Sequence, residues 1–284
     1  MKSSLLNLIR TMFKWMPLEY ILQKLTSGKY FGHWITKVPP NPYQYKENSK
    51  RFVKRNGINY ELDLSDMVDW YIFWDFQQRE RNYLYSLIKS GDLILDIGSN
   101  MGEVCLNFAK RSGANGTVYS FEPHPLNYKR LQKNLSLNPE LKVFTYQNGF
   151  GDHKASYRMS TVDNHNKGMN RIRENGEIPV EIITLDEFVE NQKLKEINLI
   201  KIDTEGFEFN VLKGSVNTIK NYKPKLFIEL DDRNLKEQNS SAKQLVSFLI
   251  HQNYSIIKAS DQSAITVETE MHNCQWDILA YSKA

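Results

Sequence analysis

The chain has 284 residues, of which 40% are hydrophobic and 25% charged, a balance that excludes wholesale disorder and a bundle of membrane helices. No uninterrupted apolar run reaches the roughly 18 residues that a spanning helix requires, so no transmembrane segment is expected. The two cysteines, Cys105 and Cys274, define neither a disulfide framework nor a zinc site, and a reducing, cytoplasmic setting is expected.

The net charge of +4 conceals an asymmetry, since residues 1–60 carry 11 Lys and Arg against only Glu19 and Glu47. Such a region is either a solvated basic face or a surface for an anionic partner. Leu5, Leu8, Ile9, Met12, Phe13 and Met16 recur at helical spacing, opposite Asn7, Arg10 and Lys14. Asn7 and Arg10 interrupt what would otherwise resemble a secretory signal, and no small-residue cleavage site follows. The segment therefore reads as an amphipathic helix, packed on the domain or in peripheral contact with a membrane surface. Residues 1–45 are read as a basic helical extension that ends in the proline-rich linker VPPNPY (38–43), and residues 46–284 as the main domain.

Two β-like runs in residues 51–64 flank Asn56-Gly57, a pair suited to the positive φ angles of a tight hairpin turn. The aromatic stretch 69–76 leads into a helix ending near Lys89, and its rings are expected to pack in the core rather than stack on bases, so no nucleic-acid partner is expected. From Asp92 onward short apolar runs at 93–98, 117–122, 142–147, 198–203, 225–230, 254–259 and 276–281 alternate with helical segments around 103–111, 126–137, 207–220 and 241–252. That alternation predicts an α/β fold with a mostly parallel seven-stranded sheet flanked by helices, its last pair forming an antiparallel hairpin. Residues 160–178 lack a clear period and carry Lys167, Arg171 and Arg173; they are expected to form a loop that reads an anionic group on an acceptor.

The run DLILDIGSNMG (92–102) places Asp96 near a strand end and Gly98, Asn100 and Gly102 at a helix start. Gly98 permits a sharp turn and close approach of a ligand, and Asn100 tolerates a left-handed conformation. Glu122, at the next acidic strand end, can accept two hydrogen bonds from a ribose diol. A nicotinamide-binding fingerprint would need glycines at 100 and 103, where this chain has Asn100 and Glu103, and Glu103 is ill placed for a pyrophosphate. A cationic sulfonium ligand without phosphate tolerates these carboxylates.

DIGSNMG (96–102), SFEPHP (120–125), TLDEF (184–188), NLIKIDTEGFE (198–208) and FIEL (227–230) occur in an order that resembles the FkbM methyltransferases, over roughly residues 50–260. The resemblance implies a Rossmann-like class I methyltransferase fold and S-adenosylmethionine as cofactor. It implies that Asp96, Gly98, Ser99, Asn100 and Gly102 line the methionine portion and that Glu122 holds the ribose, with Pro123 and His124 flanking it. Asn148, Gly149 and Phe150 would pass the adenine. Ser99 stands where the family commonly has alanine. The implied activity is O-methylation of a hydroxyl on a sugar, glycan or other natural product. An N- or C-directed methyltransferase and a non-enzymatic binding module on the same fold are the alternatives.

An alcohol acceptor needs help with its proton. Asp203 and Glu205 stand at the end of one strand and Glu229 and Asp231 at the end of another, with Lys201 on the Asp203 face and Glu208 just inside the next helix. Asp203 is the leading candidate for base or acceptor-orienting group, with Glu205, Lys201 and Glu229 as its companions. The same oxygens suit Mg²⁺, so metal dependence stays open. His124, His153 and His165 are minor candidates for a base. Neither the acceptor nor the oligomeric state is written in these motifs.

Overall fold

The computed structural model describes Asn7 and residues 10–161, 163 and 165–283, apart from the side chain of Met16. Leu5, Leu8 and Ile9 of the expected N-terminal stripe lie outside the described residues. The chain divides into two compact units: the first comprises the described residues of Met1–Asn82 and Val162–Met169, the second Tyr83–Thr161 with Asn170–Ala284. The hairpin thus groups with the N-terminal region, whereas the sequence reading drew its boundary at residue 45. No helix among the described residues is long and apolar enough to cross a membrane.

In the first unit, helix α1 (Met16–Thr26) precedes a two-stranded antiparallel hairpin of β1 (Lys50–Arg55) and β2 (Ile58–Asp63), followed by α2 (Met67–Trp74). Asn56 and Gly57 have φ of 49° and 81°, as the turn requires. Asp66 caps α2 by accepting from the N–H groups of Val68 and Asp69, and Asp75, left-handed at φ 55°, ends it. Trp70, Phe73, Trp74 and Phe76 are buried, so the aromatic stretch packs a core as expected. Residues 163 and 165–169 return to this unit: Lys167 pairs with Asp63 at 3.3 Å, and its N–H donates to Asp66 at 3.0 Å. The unit boundary falls within α3 (Arg79–Ser86).

The second unit runs β3 (Leu93–Ile97), α4 (Glu103–Ser112), β4 (Thr117–Phe121), α5 (Pro125–Ser136), β5 (Val143–Tyr146), β6 (Gly149–Phe150), β7 (Ala155–Ser160), β8 (Arg171–Ile172), β9 (Ile178–Ile183) and α6 (Leu185–Asn191). It continues with β10 (Leu199–Ile202), α7 (Glu208–Lys213), α8 (Val216–Tyr222), β11 (Lys225–Asp231), α9 (Asp232–Glu237), α10 (Ala242–His251), β12 (Tyr254–Lys258), β13 (Ala264–Ile265) and β14 (Gln275–Ser282). The main sheet has the order β13-β12-β14-β11-β10-β3-β4-β5. From β11 to β5 neighbouring strands are parallel, and β14, β12 and β13 are antiparallel to theirs. All seven expected strands are present; the two-residue β13 makes the sheet eight-stranded, because it is too short to leave an apolar signature.

Strands β11 and β10 sit at the centre, with β3 beside β10. Every residue of β10 is buried, as befits a parallel strand covered on both faces. Helix α10 buries Ala242, Leu245, Val246 and Leu249, the three-and-four spacing of a single helical face. The single helix expected over 207–220 is two, broken at Gly214, where a Cβ would lie 1.9 Å from the Gly151 carbonyl oxygen. A second, four-stranded sheet of order β6-β9-β7-β8 takes in both ends of the segment read as a loop.

Candidate active site

The cofactor-loop candidate starts where β3 ends. Gly98 (φ 82°), Asn100 (φ 47°) and Gly102 (φ 96°) are all left-handed, which allows three reversals within five residues. A Cβ on Gly98 would stand 1.8 Å from the carbonyl oxygen of Asp203, and one on Gly102 would stand 2.6 Å from Leu131 Cδ1. Gly98 is therefore required by its neighbour as well as by its φ. Ser99 turns its hydroxyl into the protein: Oγ donates to the Asp96 carbonyl (2.9 Å) and accepts from Phe121 N–H (3.2 Å) and Ser120 Oγ (2.7 Å). Its side chain shapes the loop instead of facing a ligand.

Glu122 follows β4 and is buried. Its two oxygens accept from the N–H groups of Asn100 (2.8 Å) and His124 (2.9 Å), so it ties the loop to the next strand end while keeping lone pairs free. Burial raises its pKa to about 7 against the pull of those two donors. Burial also raises Asp96, both of whose carboxylate oxygens lack a hydrogen-bond partner, although Lys201 Nζ lies 3.4 Å from Oδ1. Two buried carboxylates beside a glycine cradle fit a ligand that brings positive charge and hydroxyl donors.

Lys201 is buried between the two halves of the site. Its ammonium donates to the Gly98 carbonyl at 2.8 Å and pairs with Asp203 at 3.2 Å and Asp96 at 3.4 Å. The position of Lys201 on the Asp203 face, expected from the sequence, thus becomes an ion pair.

Asp203, Glu205 and Glu229 offer carboxylate oxygens that lie within 4.8 Å of one another. The turn carrying Asp203 and Glu205 is built by Glu208, whose Oε1 accepts from Thr204 N–H (2.8 Å), Thr204 Oγ1 (3.0 Å) and Gly206 N–H (3.0 Å). Glu208 is thus a scaffold group. Glu205 is held left-handed at φ 55°, a conformation that costs a glutamate on the order of 1 kcal/mol. Burial, then the charge of Asp203, raises the Glu205 pKa to about 8, with Arg171 opposing. Burial first and Asp203 second raise Glu229 well above its ordinary value; Asp277, opposite it on β14, adds to the effect. Asp231 caps α9 through the N–H groups of Arg233 and Asn234.

Arg171, expected to read an external anion, is buried and bonds Glu205 (3.4 Å) and Glu237 (3.2 Å), and Arg173 reaches Glu237 at 3.4 Å. With Lys167 on Asp63, all three cations of the segment face carboxylates of the chain itself. Asn234, which donates to Glu205 at 3.0 Å, escaped the sequence reading because no local pattern links positions 29 residues apart. His153 is exposed beside Asp152, and His165 packs tilted against Tyr43 at 4.7 Å in the first unit. His124 is buried, both its ring nitrogens lack partners, and burial lowers its pKa.

Pro123 touches the turn after β5, where a Cβ on Gly149 would lie 3.5 Å from Pro123 Cγ. Asn148 is half-buried. The Phe150 ring is core, packed edge-on against Phe121 at 4.6 Å. The Phe150 ring, named from the resemblance as a cofactor neighbour, is thus committed to packing.

A family profile described as "Methyltransferase FkbM domain" matches residues 96–256, more than half of the chain. The chain belongs to the FkbM methyltransferase family, and its main sheet has the Rossmann-like class I arrangement. It is 30% identical over 143 residues to "Methyltransferase 1" of Beauveria bassiana, covering 43% of this chain and 57% of that protein. It is 29% identical over 133 residues to the hexuronic acid methyltransferase AglP of Haloferax volcanii, covering 45% and 52%. It is 26% identical over 183 residues to the 2-O-methyltransferase NoeI of Sinorhizobium fredii, covering 58% and 74%. The chain thus spans about half the length of the first two of these relatives. The crystal structure of methyltransferase FkbM from Methylobacillus flagellatus aligns with a TM-score of 0.44 at 18% identity, covering 75% of this chain and 52% of that one.

Two consequences are measurable. Gly98→Ala forces a Cβ into the Asp203 carbonyl in a left-handed conformation, and should cost about 3 kcal/mol or more in denaturant unfolding. The raised carboxyls give a pH dependence of definite sign. A carboxyl with a raised pKa contributes its full stability below the ordinary glutamate value of 4.5 and loses it as pH rises, through about 7 for Glu122 and about 8 for Glu205. The thermal midpoint should therefore fall from mildly acidic to mildly alkaline pH, and Glu205→Gln should flatten the alkaline part of that fall. An unchanged slope in the variant would show that Glu205 is ionised throughout.

Proposed function

We propose that the chain transfers a methyl group from S-adenosylmethionine to a hydroxyl oxygen of a sugar or glycan. The observation that carries this reading is the close approach of Gly98 to the Asp203 carbonyl, which sets the cofactor loop and the acidic cluster edge to edge within one unit. Bound at the loop, the cofactor supplies a methyl carbon made electrophilic by its sulfonium sulfur. Glu122 offers its remaining lone pairs to the ribose diol, and Asp96 provides buried negative charge toward a cationic ligand. Asn148, Gly149 and Pro123 flank the adenine.

Asp203, with its side chain 40% exposed, is the member of the cluster most open to an acceptor. Its carboxylate orients the acceptor hydroxyl and takes its proton, while Lys201 holds that carboxylate beside the loop. Glu205 and Glu229 have raised pKa values and serve as hydrogen-bonding partners for neighbouring acceptor hydroxyls. The sugar class is supported by a matched relative named for a hexuronic acid, and the oxygen acceptor by one named a 2-O-methyltransferase.

Asp203→Asn should retain cofactor affinity and lower turnover by roughly a hundredfold or more, because a carboxamide does not take the proton. Wild-type turnover in that variant, read by mass spectrometry of the methylated acceptor, would move the role to Glu205 or Glu229. Cofactor affinity should rise with pH through about 7 as Glu122 ionises, and Glu122→Ala should weaken it by about 1–3 kcal/mol. Calorimetric titration with a pH-independent affinity would separate Glu122 from the ribose.

A further inference from the structure

The faces of α1 are inverted relative to an ordinary surface helix. Its buried positions are Glu19, Leu22 and Thr26, whereas Pro17, Tyr20, Ile21, Lys24 and Leu25 are exposed. The three-and-four spacing of the second set defines one continuous stripe. The buried side holds a carboxylate bonded to Arg51 at 2.7 Å and to Tyr45 at 3.2 Å, while the side facing solvent carries the bulk of the apolar surface. Met12 and Trp15 precede this stripe, and Tyr30, Phe31 and Trp34 follow it. The short helix Trp34–Lys37 packs beside α1. Of the 13 exposed large hydrophobic residues among those described, 8 fall between residues 12 and 34, with Trp15 at 67% and Trp34 at 70% exposure. Phe31 meets Tyr71 and Phe76 with ring centroids 4.9 and 5.9 Å away, yet each of the eight stays more than half exposed.

Within residues 10–37 the exposed charge is positive, with the Asp75 carboxylate bonded to Ser27 beside it. Residues 10–37 contain Arg10, Lys14, Lys24, Lys29 and Lys37, and their sole carboxylate, Glu19, is buried against Arg51. Lys24 holds its ammonium over the Tyr20 ring, 4.5 Å from the centroid, so a cation and an aromatic ring share the exposed face. Exposed tryptophan and tyrosine beside aliphatic side chains and lysines match the layered polarity of a bilayer interface. A second copy of the same face would set these cations against one another, which disfavours self-association.

We propose that residues 12–34 form a monotopic docking surface for an anionic lipid bilayer. Co-sedimentation of the full chain with vesicles tests it. Vesicles of equimolar phosphatidylcholine and phosphatidylglycerol should retain the protein, with tryptophan emission shifting to shorter wavelength. Vesicles of phosphatidylcholine alone should retain little, and added salt should weaken the retention. Tyr20→Ser, Ile21→Ser and Leu25→Ser combined should lower partitioning on the order of tenfold or more, and Lys24→Gln about fivefold. Both variants should keep the parent's thermal midpoint, because the replaced side chains are exposed. Absence of retention on anionic vesicles, or equal retention of the triple variant, overturns the proposal. A concentration-dependent dimer that the triple variant abolishes, without vesicle binding, assigns the face to a second copy instead.

Discussion

The buried ammonium of Lys201 is the contact on which the candidate site depends. It rises from the central strand β10 and meets the Gly98 carbonyl, Asp96 and Asp203. Two carboxylates in that position without it would repel each other in a medium of low dielectric, and each would tend to take up a proton. With it, the turn after β3 and the turn after β10 are joined by one cation. The absent side chain of Gly98 allows the two backbones to approach that closely. Loop and cluster are thus parts of one construction.

A graded electrostatic arrangement follows. Lys201 offsets Asp203, and Arg171 partly offsets Glu205, but Glu229 faces Asp277 and keeps one buried oxygen without a partner. Neighbouring carboxylates in a shared site divide into ionised and protonated members, because the second charge costs more than the first. One cluster can then contain both a proton acceptor and hydrogen-bond donors. Glu208, by contrast, commits one oxygen to three donors from the turn it supports, so its negative end serves geometry.

In the first unit the polar interior is what stands out. Glu19 is buried with Arg51 and Tyr45, and Asp69 accepts from the Asp63 N–H at 2.6 Å. Buried charges of this kind need fixed partners, which specifies how α1 meets the hairpin more narrowly than apolar contact would. The outward face of α1 is thereby freed from any role in packing.

The sequence by itself determined the alternating strands and helices from Asp92 to the C-terminus, the Asn56-Gly57 hairpin and the family. It also singled out Asp96, Gly98, Asn100, Gly102, Glu122, Asp203, Glu205 and Glu229 as candidates for the site. These are legible because strand runs, left-handed turn residues and strand-end carboxylates are local patterns, each written within a few positions. Tertiary structure alone decided that the Ser99 hydroxyl points inward and that the Phe150 ring is core. It also decided that Lys201 joins two carboxylates, and that Arg171 and Lys167 pair with Glu205 and Asp63 instead of awaiting an external anion. The short strands β6, β8 and β13 likewise carry no periodicity of their own and exist through the partners beside them. In each case the deciding contact joins residues far apart in the chain, and a charge or hydroxyl finds its partner only once the backbone has closed the distance.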